Sequence, residues 1–461
     1  MNLMVATKPR VIAVFVVLAI FIFSLSALEL LSLKYEWLNQ QRIAQLFLLF
    51  VASVSVFFIP VYRFSPKVCG ALLLVFLLGA TSAAFSAFPL WAFIEWGVWV
   101  ALFLLVVVVA ALARESWFEQ AVLAVMVCVG VVLGYLFLIN YAMAFVTGIR
   151  KVDPYLMFTG FDNPRFFGQF QLLLIPVLAA QALYFSAFKR YKLSVVVIAA
   201  LVVHWCIVWA LGGRGVWLGL VLSHVLYFCA VRKLKPLIKL QMITAATGLF
   251  LFVFLFYLLP QALGVDPVVD KGMRAGLSGR EVIWLRAWDL AINHPWLGVG
   301  PMHYSSIWVG TSAHPHQVVL QWLAEWGFPA TIVAIALTLR GLWFGFYTLK
   351  GEAATQLDAG IWLSLCASLV LAQVDGVFVM PYTLGWFFIL LGLAVSRWTD
   401  QQESSAGQKY FSWVLAVAAA VIIARVLIVD VPRLPQMQAD FYNQNNIGSP
   451  PRFWAQGWIP M

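Results

Sequence analysis

Charge is scarce in this chain of 461 residues: Asp, Glu, Lys and Arg together make up 10% of it, well under half the share of about a quarter typical of soluble proteins. A surface so poor in charge cannot face water on all sides, which excludes a soluble enzyme, a nucleic-acid-binding domain and a disordered chain. Cysteine is also rare. Cys69, Cys128, Cys206, Cys229 and Cys366 fall within or at the edges of apolar runs, so neither disulfides, a redox motif nor a cysteine metal site is expected. No paired-carboxylate motif is present that would hold a metal against a nucleotide diphosphate, and no linker, low-complexity run or internal repeat is visible. What abounds is apolar: 63% of residues are hydrophobic and mean hydropathy is +0.93, the composition of an all-α polytopic membrane protein.

At about 20 apolar residues per crossing, spans are predicted at roughly 11–31, 43–61, 69–87, 90–113, 118–147, 166–188, 193–211, 215–231, 242–260, 316–339, 357–373, 378–396 and 411–429, or 12 to 13 transmembrane helices. The first is too long for a signal peptide and no cleavage site follows, so it reads as an uncleaved anchor. The organisation expected is an N-terminal bundle (1–260), a long loop (261–315), C-terminal helices (316–430) and a tail (431–461). The net charge of +10 is first a matter of topology. Basic residues crowd the even-numbered connections, as in Lys189, Arg190 and Lys192 or Arg232, Lys233, Lys235 and Lys239. The opposite short loops hold only Lys34, Arg42, Arg150, Lys151, Arg165 and Arg214. The positive-inside rule then puts the N-terminus in the cytoplasm and the long loop and tail outside.

That outer face carries more cations than topology requires: Arg165 in FDNPRFFGQFQ, Arg214 in GGRGVWLG, Arg274, Arg280 and Arg286 in the long loop, with His294, His303, His314 and His316. Guanidinium forks suit phosphate, and Arg165 and Arg214 each adjoin a predicted helix N-terminus, where free N–H groups favour anions. Interfacial arginines meeting lipid headgroups are the plainer reading of any one of them. SGREVIWLRAWDLAINHPWLGVGP predicts an amphipathic helix from Arg280 to Asn293, with Arg286, Asp289 and Asn293 on one face and Trp284 and Trp288 on another, fit to lie at headgroup depth or to act as a lid. AHPHQVVLQWLAEWGFPA places His314 and His316 in the first turn of the next helix, where the dipole keeps His316 neutral and able to accept a proton. Two histidines at that spacing need further ligands to hold a metal, and none is expected. Glu29, Asn140, His204, His224, Glu325 and Asp375 fall inside or at the ends of predicted spans. Glu325 shares a face with Gln317 and Gln321 and is placed to line a cavity or brace an arginine.

These motifs resemble the bacterial O-antigen ligase and O-antigen polymerase superfamily, which includes the O-oligosaccharyltransferases that modify pilins. Arg214 and Leu218 match its Arg-x-x-x-Leu element, and His316, Gln317 and Gly327 match its His-[Asn/Ser/Gln] pair with a glycine after nine further residues. Ala330 departs from the Gly, Thr or Tyr of that pattern. Asn163, Arg165, Phe166, Gly168, Gln169 and Gln171 look like the family's loop-to-helix junction. The resemblance spans about residues 160–330 and implies transfer of a glycan from undecaprenyl diphosphate to a hydroxyl of lipid A-core or a pilin-type protein. This would occur at the periplasmic face of the bacterial inner membrane, without metal, nucleotide or other cofactor. It is consistent with His316 as general base and Arg214, Arg280 and Arg165 as diphosphate binders, with Gln171, Gln317, Glu325, Arg286 and His314 in support. An O-antigen polymerase is the alternative within the enzyme class; a lipid-linked glycan flippase or other transporter is the alternative outside it. Side-specific labelling separates the last two classes: Arg214→Cys is expected to react with an impermeant thiol reagent from one side only, whereas reaction from both sides fits a transporter.

Overall fold

The computed structural model describes residues 2–28, 35–60, 62, 64–148, 153–231, 235–266, 279–308, 312–399, 404–448 and 450–461. Glu29, Lys34, Arg150, Lys151, Arg232, Lys233 and Arg274 lie outside the described residues. The described chain is helical, with no β-strand: α1 (Asn2–Leu25), α2 (Trp37–Ser55), α3 (Pro66–Ala84), α4 (Pro89–Leu112), α5 (Ser116–Val146), α6 (Pro164–Ala187), α7 (Tyr191–Leu211), α8 (Arg214–Ala230), α9 (Lys235–Val253), α10 (Leu259–Ala262), α11 (Arg280–Asn293), α12 (Val318–Lys350), α13 (Gln356–Leu371), α14 (Pro381–Trp398), α15 (Ala406–Arg425) and α16 (Val431–Asn445). Eight helices, counting α9–α10 and α15–α16 as continuous through their π-helical turns, are long and apolar enough to cross a membrane. Arg10–Leu25, Arg214–Phe228 and Gln356–Leu371 are shorter apolar segments. A polytopic membrane protein follows.

Two departures from the sequence reading bear on function. The first is α2, which starts six residues earlier than predicted and carries Asn39, Gln40, Gln41, Arg42 and Gln45 buried in its first half. Their polar atoms are met inside the protein, since lipid offers no partners: Gln40 Nε2 donates to Ser26 O at 3.0 Å and Gln41 Nε2 to Gly160 O at 2.6 Å. The second is the C-terminal region. The last helix runs on past residue 429 to Asn445, and residues 450–461 fold back into the bundle, with Phe453, Trp454, Trp458 and Ile459 buried.

The helices meet at two ends. At one, Leu38 N–H donates to Asp162 Oδ2 (2.9 Å), Tyr155 Oη to Leu211 O (3.4 Å) and Val318 N–H to Ala372 O (2.9 Å), so the starts of α2, α6 and α12 and the ends of α7 and α13 share one region. At the other, Arg397 joins α14 to Glu119 of α5 (2.8 Å) and Asp358 of α13 (2.7 Å).

The long apolar α12 is broken at Gly327, whose φ of 78° and ψ of 172° lie in a region open essentially to glycine alone. Pro329 opens the second half, where a missing N–H costs nothing. Carbonyls freed by the break are taken up by the loop after α11: Val299 N–H donates to Ala324 O (2.8 Å) and Gly300 N–H to Glu325 O (3.1 Å), while Phe328 N–H donates back to Pro295 O (2.8 Å). A Cβ on Gly327 would lie 2.5 Å from Trp296 O. Gly327→Ala is expected to cost about 1–3 kcal/mol from backbone strain alone, and more from that collision; a parent-like thermal midpoint in detergent would contradict this account of the break.

Candidate active site

His316 precedes α12 rather than lying in its first turn: the helix begins at Val318, Gln317 is its N-cap, and His316 adopts a left-handed φ of 53°. Its ring faces two side chains. Nδ1 faces Asp375 Oδ1 at 3.4 Å, without the alignment of a formed hydrogen bond, and Nε2 faces Ser312 Oγ at 3.2 Å. Ser312 Oγ also lies 2.7 Å from His314 O, so its single hydroxyl hydrogen can serve that carbonyl or His316 Nε2 but not both. Asp375 sits in the turn between α13 and α14, where Gly376 N–H donates to Oδ1 at 2.8 Å. Burial would raise its pKa, but the facing His316, the Gly376 N–H and the charge of Arg165 outweigh burial and hold the carboxyl below its usual range. A carboxylate facing Nδ1 is placed to orient the ring if that nitrogen carries the proton, the arrangement of a carboxylate-oriented base.

His314 does different work. It is 1% exposed, its ring lies 4.1 Å from that of His316 between centroids, and its Nδ1 accepts the His316 N–H at 3.3 Å. Only a neutral ring can accept there. Burial first, then the neighbouring His316 and the charges of Arg452 and Arg165, hold the His314 pKa well below that of a free histidine.

Three arginines from three elements lie within electrostatic reach of one another beside this site. Arg214 is the first residue of α8, Arg165 lies in the first turn of α6 behind the N-cap Asn163, and Arg280 opens α11. They are within electrostatic reach of one another: burial lowers the Arg280 pKa, Asp375 opposes this, and Arg165 and Arg214 lower it further. Guanidiniums so grouped suit an anion, and Arg165 and Arg214 stand at helix N-termini, where the dipoles add to the attraction. Trp284 Nε1 of α11 donates to Pro315 O at 2.9 Å, which braces the helix bearing Arg280 against the segment bearing His316.

The remaining sequence candidates take other places. Gln171 is buried and donates to His204 O (3.1 Å), tying α6 to α7. Gln317 caps α12 by accepting from Leu320 N–H and donates to Gln373 Oε1 at 3.2 Å. Glu325 pairs with Arg452 (2.8 Å), not with those three arginines. Arg286 is exposed on α11 and its charge bears on Tyr304. Trp284 and Trp288 do not act as a pair: the first is half-buried on Pro315, the second exposed beside Phe328. His303 is buried and spent, accepting from Phe88 N–H (2.9 Å) and facing Pro301 O (2.9 Å). Among the described residues no three His, Cys, Asp or Glu side chains gather as a metal-binding group. Sequence reasoning noted Asp375 as a charge at the end of a span but did not join it to His316, 59 positions away; its only signal was a lone acid in an apolar stretch. Ser312 and Arg452 carried no signal.

Residues 196–335 match the family model described as O-antigen ligase. The match takes in Arg214, Arg280, His314, His316 and Gly327, and leaves Arg165, Asp375 and the C-terminal segment outside. No curated protein matches the chain.

A buried neutral His314 makes stability depend on pH. Below its ordinary pKa of about 6.5 the unfolded chain binds a proton that the folded one refuses, so stability falls as pH drops from about 7.5 to about 5.5. His314→Gln, which keeps an acceptor, is expected to flatten that fall in thermal unfolding scans; an unchanged slope would rule out a neutral buried ring.

Proposed function

We propose that this chain, which its 196–335 domain assigns to the O-antigen ligase superfamily, moves a glycan from undecaprenyl diphosphate to a hydroxyl acceptor. The observation that carries the reading is the facing of His316 and Asp375, with Arg165 and Arg280 within electrostatic reach of that carboxylate and Arg214 within reach of Arg280. The acceptor oxygen attacks the anomeric carbon and its proton passes to His316 Nε2; the bond from that carbon to the diphosphate oxygen breaks, and undecaprenyl diphosphate leaves. The diphosphate is already a competent leaving group, so the arginines act on the charge that grows on it during cleavage, where electrostatic stabilisation counts most. The hydroxyl is the weak partner and takes the base. Arg214, Arg280 and Arg165 hold the diphosphate. His314 anchors the His316 backbone, and Gln317, Gln171 and Glu325 hold the elements around it.

In this reading the chain crosses the bacterial inner membrane 12 to 13 times, and the site faces the periplasm beside the loop of residues 261–315. The exposed apolar stripe of α11, with Val282, Leu285, Trp288 and Ile292, rests on lipid headgroups at the mouth of the site. Charge gathered at one end of the bundle favours chemistry there over transport, which would place it near the midplane. The acceptor is lipid A-core or a pilin-type protein; chain lengthening of the donor would make the protein a polymerase.

The test is transfer in liposomes holding an undecaprenyl-diphosphate-linked oligosaccharide, with EDTA, no nucleotide, and lipid A-core or pilin-type protein as acceptor, read by gel shift. His316→Ala is expected to lose about 100- to 10,000-fold in turnover while donor still binds, and unchanged transfer would remove it as the base. Arg214→Ala and Arg280→Ala are expected to weaken donor use chiefly, seen as lower kcat/KM for the donor. No covalent change with any acceptor would return the transport reading.

A further inference from the structure

The two halves of the His316–Asp375 pair lie on different segments, 312–317 and 372–380, and residues 450–461 touch both. Trp458 is buried against Ala313, three residues from His316, and Ile459 N–H donates to Ser305 O at 3.2 Å. On the other side, the Arg42 guanidinium, 4.9 Å from the centre of the Phe453 ring, donates from Nε to Phe453 O (2.9 Å) and from Nη2 to Val379 O (2.7 Å). One buried arginine thus joins the C-terminal segment to the turn that carries Asp375. Ala455 N–H donates to Asn39 Oδ1 (2.8 Å).

The segment is held by Arg452, 2% exposed, whose Nη2 lies 2.8 and 3.0 Å from the Glu325 oxygens and 3.3 Å from Glu95 Oε1. With its amide turned to suit, Gln321 accepts from Nη1 at 2.7 Å. Burying a guanidinium with two carboxylates gains little stability over apolar residues of the same volume. Such a network is understood better as a device that sets one geometry.

We propose that residues 450–461 are a positioning element of the active site, anchored by Arg452, that sets His316 and Asp375 against each other by bracing the segment of one and the turn of the other. The inference rests on the proposed transferase reading for its effect on rate, and stands apart from it for its effect on local structure. Two full-length variants test it: Arg452→Met with Glu325→Gln and Glu95→Gln, which leaves no unpaired carboxylate, and Trp458→Ala, which spares the charges. Amide hydrogen exchange is expected to quicken at 312–317 and 375–380, as well as in 450–461 itself, and to stay parent-like elsewhere. Turnover is expected to fall by about 100-fold, as for a misplaced catalytic group, with donor KM within about threefold of the parent and partial recovery in Arg452→Lys. Parent-like exchange in those two segments overturns the proposal, as does parent-like turnover with quickened exchange. If the triple variant unfolds as a whole, Trp458→Ala decides by the same two readouts. A parent protein that transfers no glycan sinks the proposed function, and the exchange result still reports on the brace.

Discussion

The site end of the molecule depends on the break in α12. A continuous helix would spend the carbonyls of Ala324 and Glu325 on itself; the turn at Gly327 releases them to Val299 and Gly300 and lets Phe328 bond to Pro295. In surroundings that offer no water, a backbone group freed from its helix must find a partner in the protein, and here the partner is the loop that follows α11. That loop places α11, α11 places Arg280 and, through Trp284, supports Pro315 and the His316 segment. Glu325, beside the same break, turns its carboxylate to Arg452 and its carbonyl to the loop. A single glycine thus ties chemistry-bearing elements that are far apart in the chain.

Electrostatics divides the charges of this end into two groups with different work. Arg42, Glu95, Glu325 and Arg452 are buried and matched to one another or to carbonyls, so their charges are spent on structure. Arg165, Arg214 and Arg280 come from three helices into electrostatic reach of one another, the kind of grouping that suits an anionic ligand. His314 and His316, whose rings meet edge to face, divide in the same way: one is held neutral and buried as an acceptor for the backbone, the other faces a carboxylate and a hydroxyl. The left-handed backbone of His316 is tolerated because the His314 acceptor and the Gln317 cap hold it from both sides.

A membrane protein made of helices was legible from composition and from the length of the apolar runs, because both follow from the solvent and need no tertiary contact. The amphipathic helix from Arg280 to Asn293 was legible for the same reason: its period is local. The helix starts at Arg165 and Arg214 were legible from where the apolar runs begin, and the short motifs around Arg214 and His316 pointed to the family that the 196–335 match supports.

Contacts across the chain were out of reach. Nothing local tells that Asp375 meets His316, that Glu325 serves Arg452 instead of Arg165, Arg214 or Arg280, or that Gln171 and Gln317 hold helices together. Each depends on which faces of separate helices pack together, and hydropathy is blind to that. The polar first half of α2 lowered the apolar signal and shifted its predicted start, although those side chains are buried because the C-terminal segment and neighbouring loops satisfy them. That segment itself read as a tail, since short runs such as PPRFWAQGWIP carry no period; it is built into the core because Arg452 finds two carboxylates there, one on α4 and one on α12. Local pattern was enough to say what kind of solvent surrounds the protein, whereas which residues face one another was settled by packing, the only thing that brings distant positions within hydrogen-bond reach.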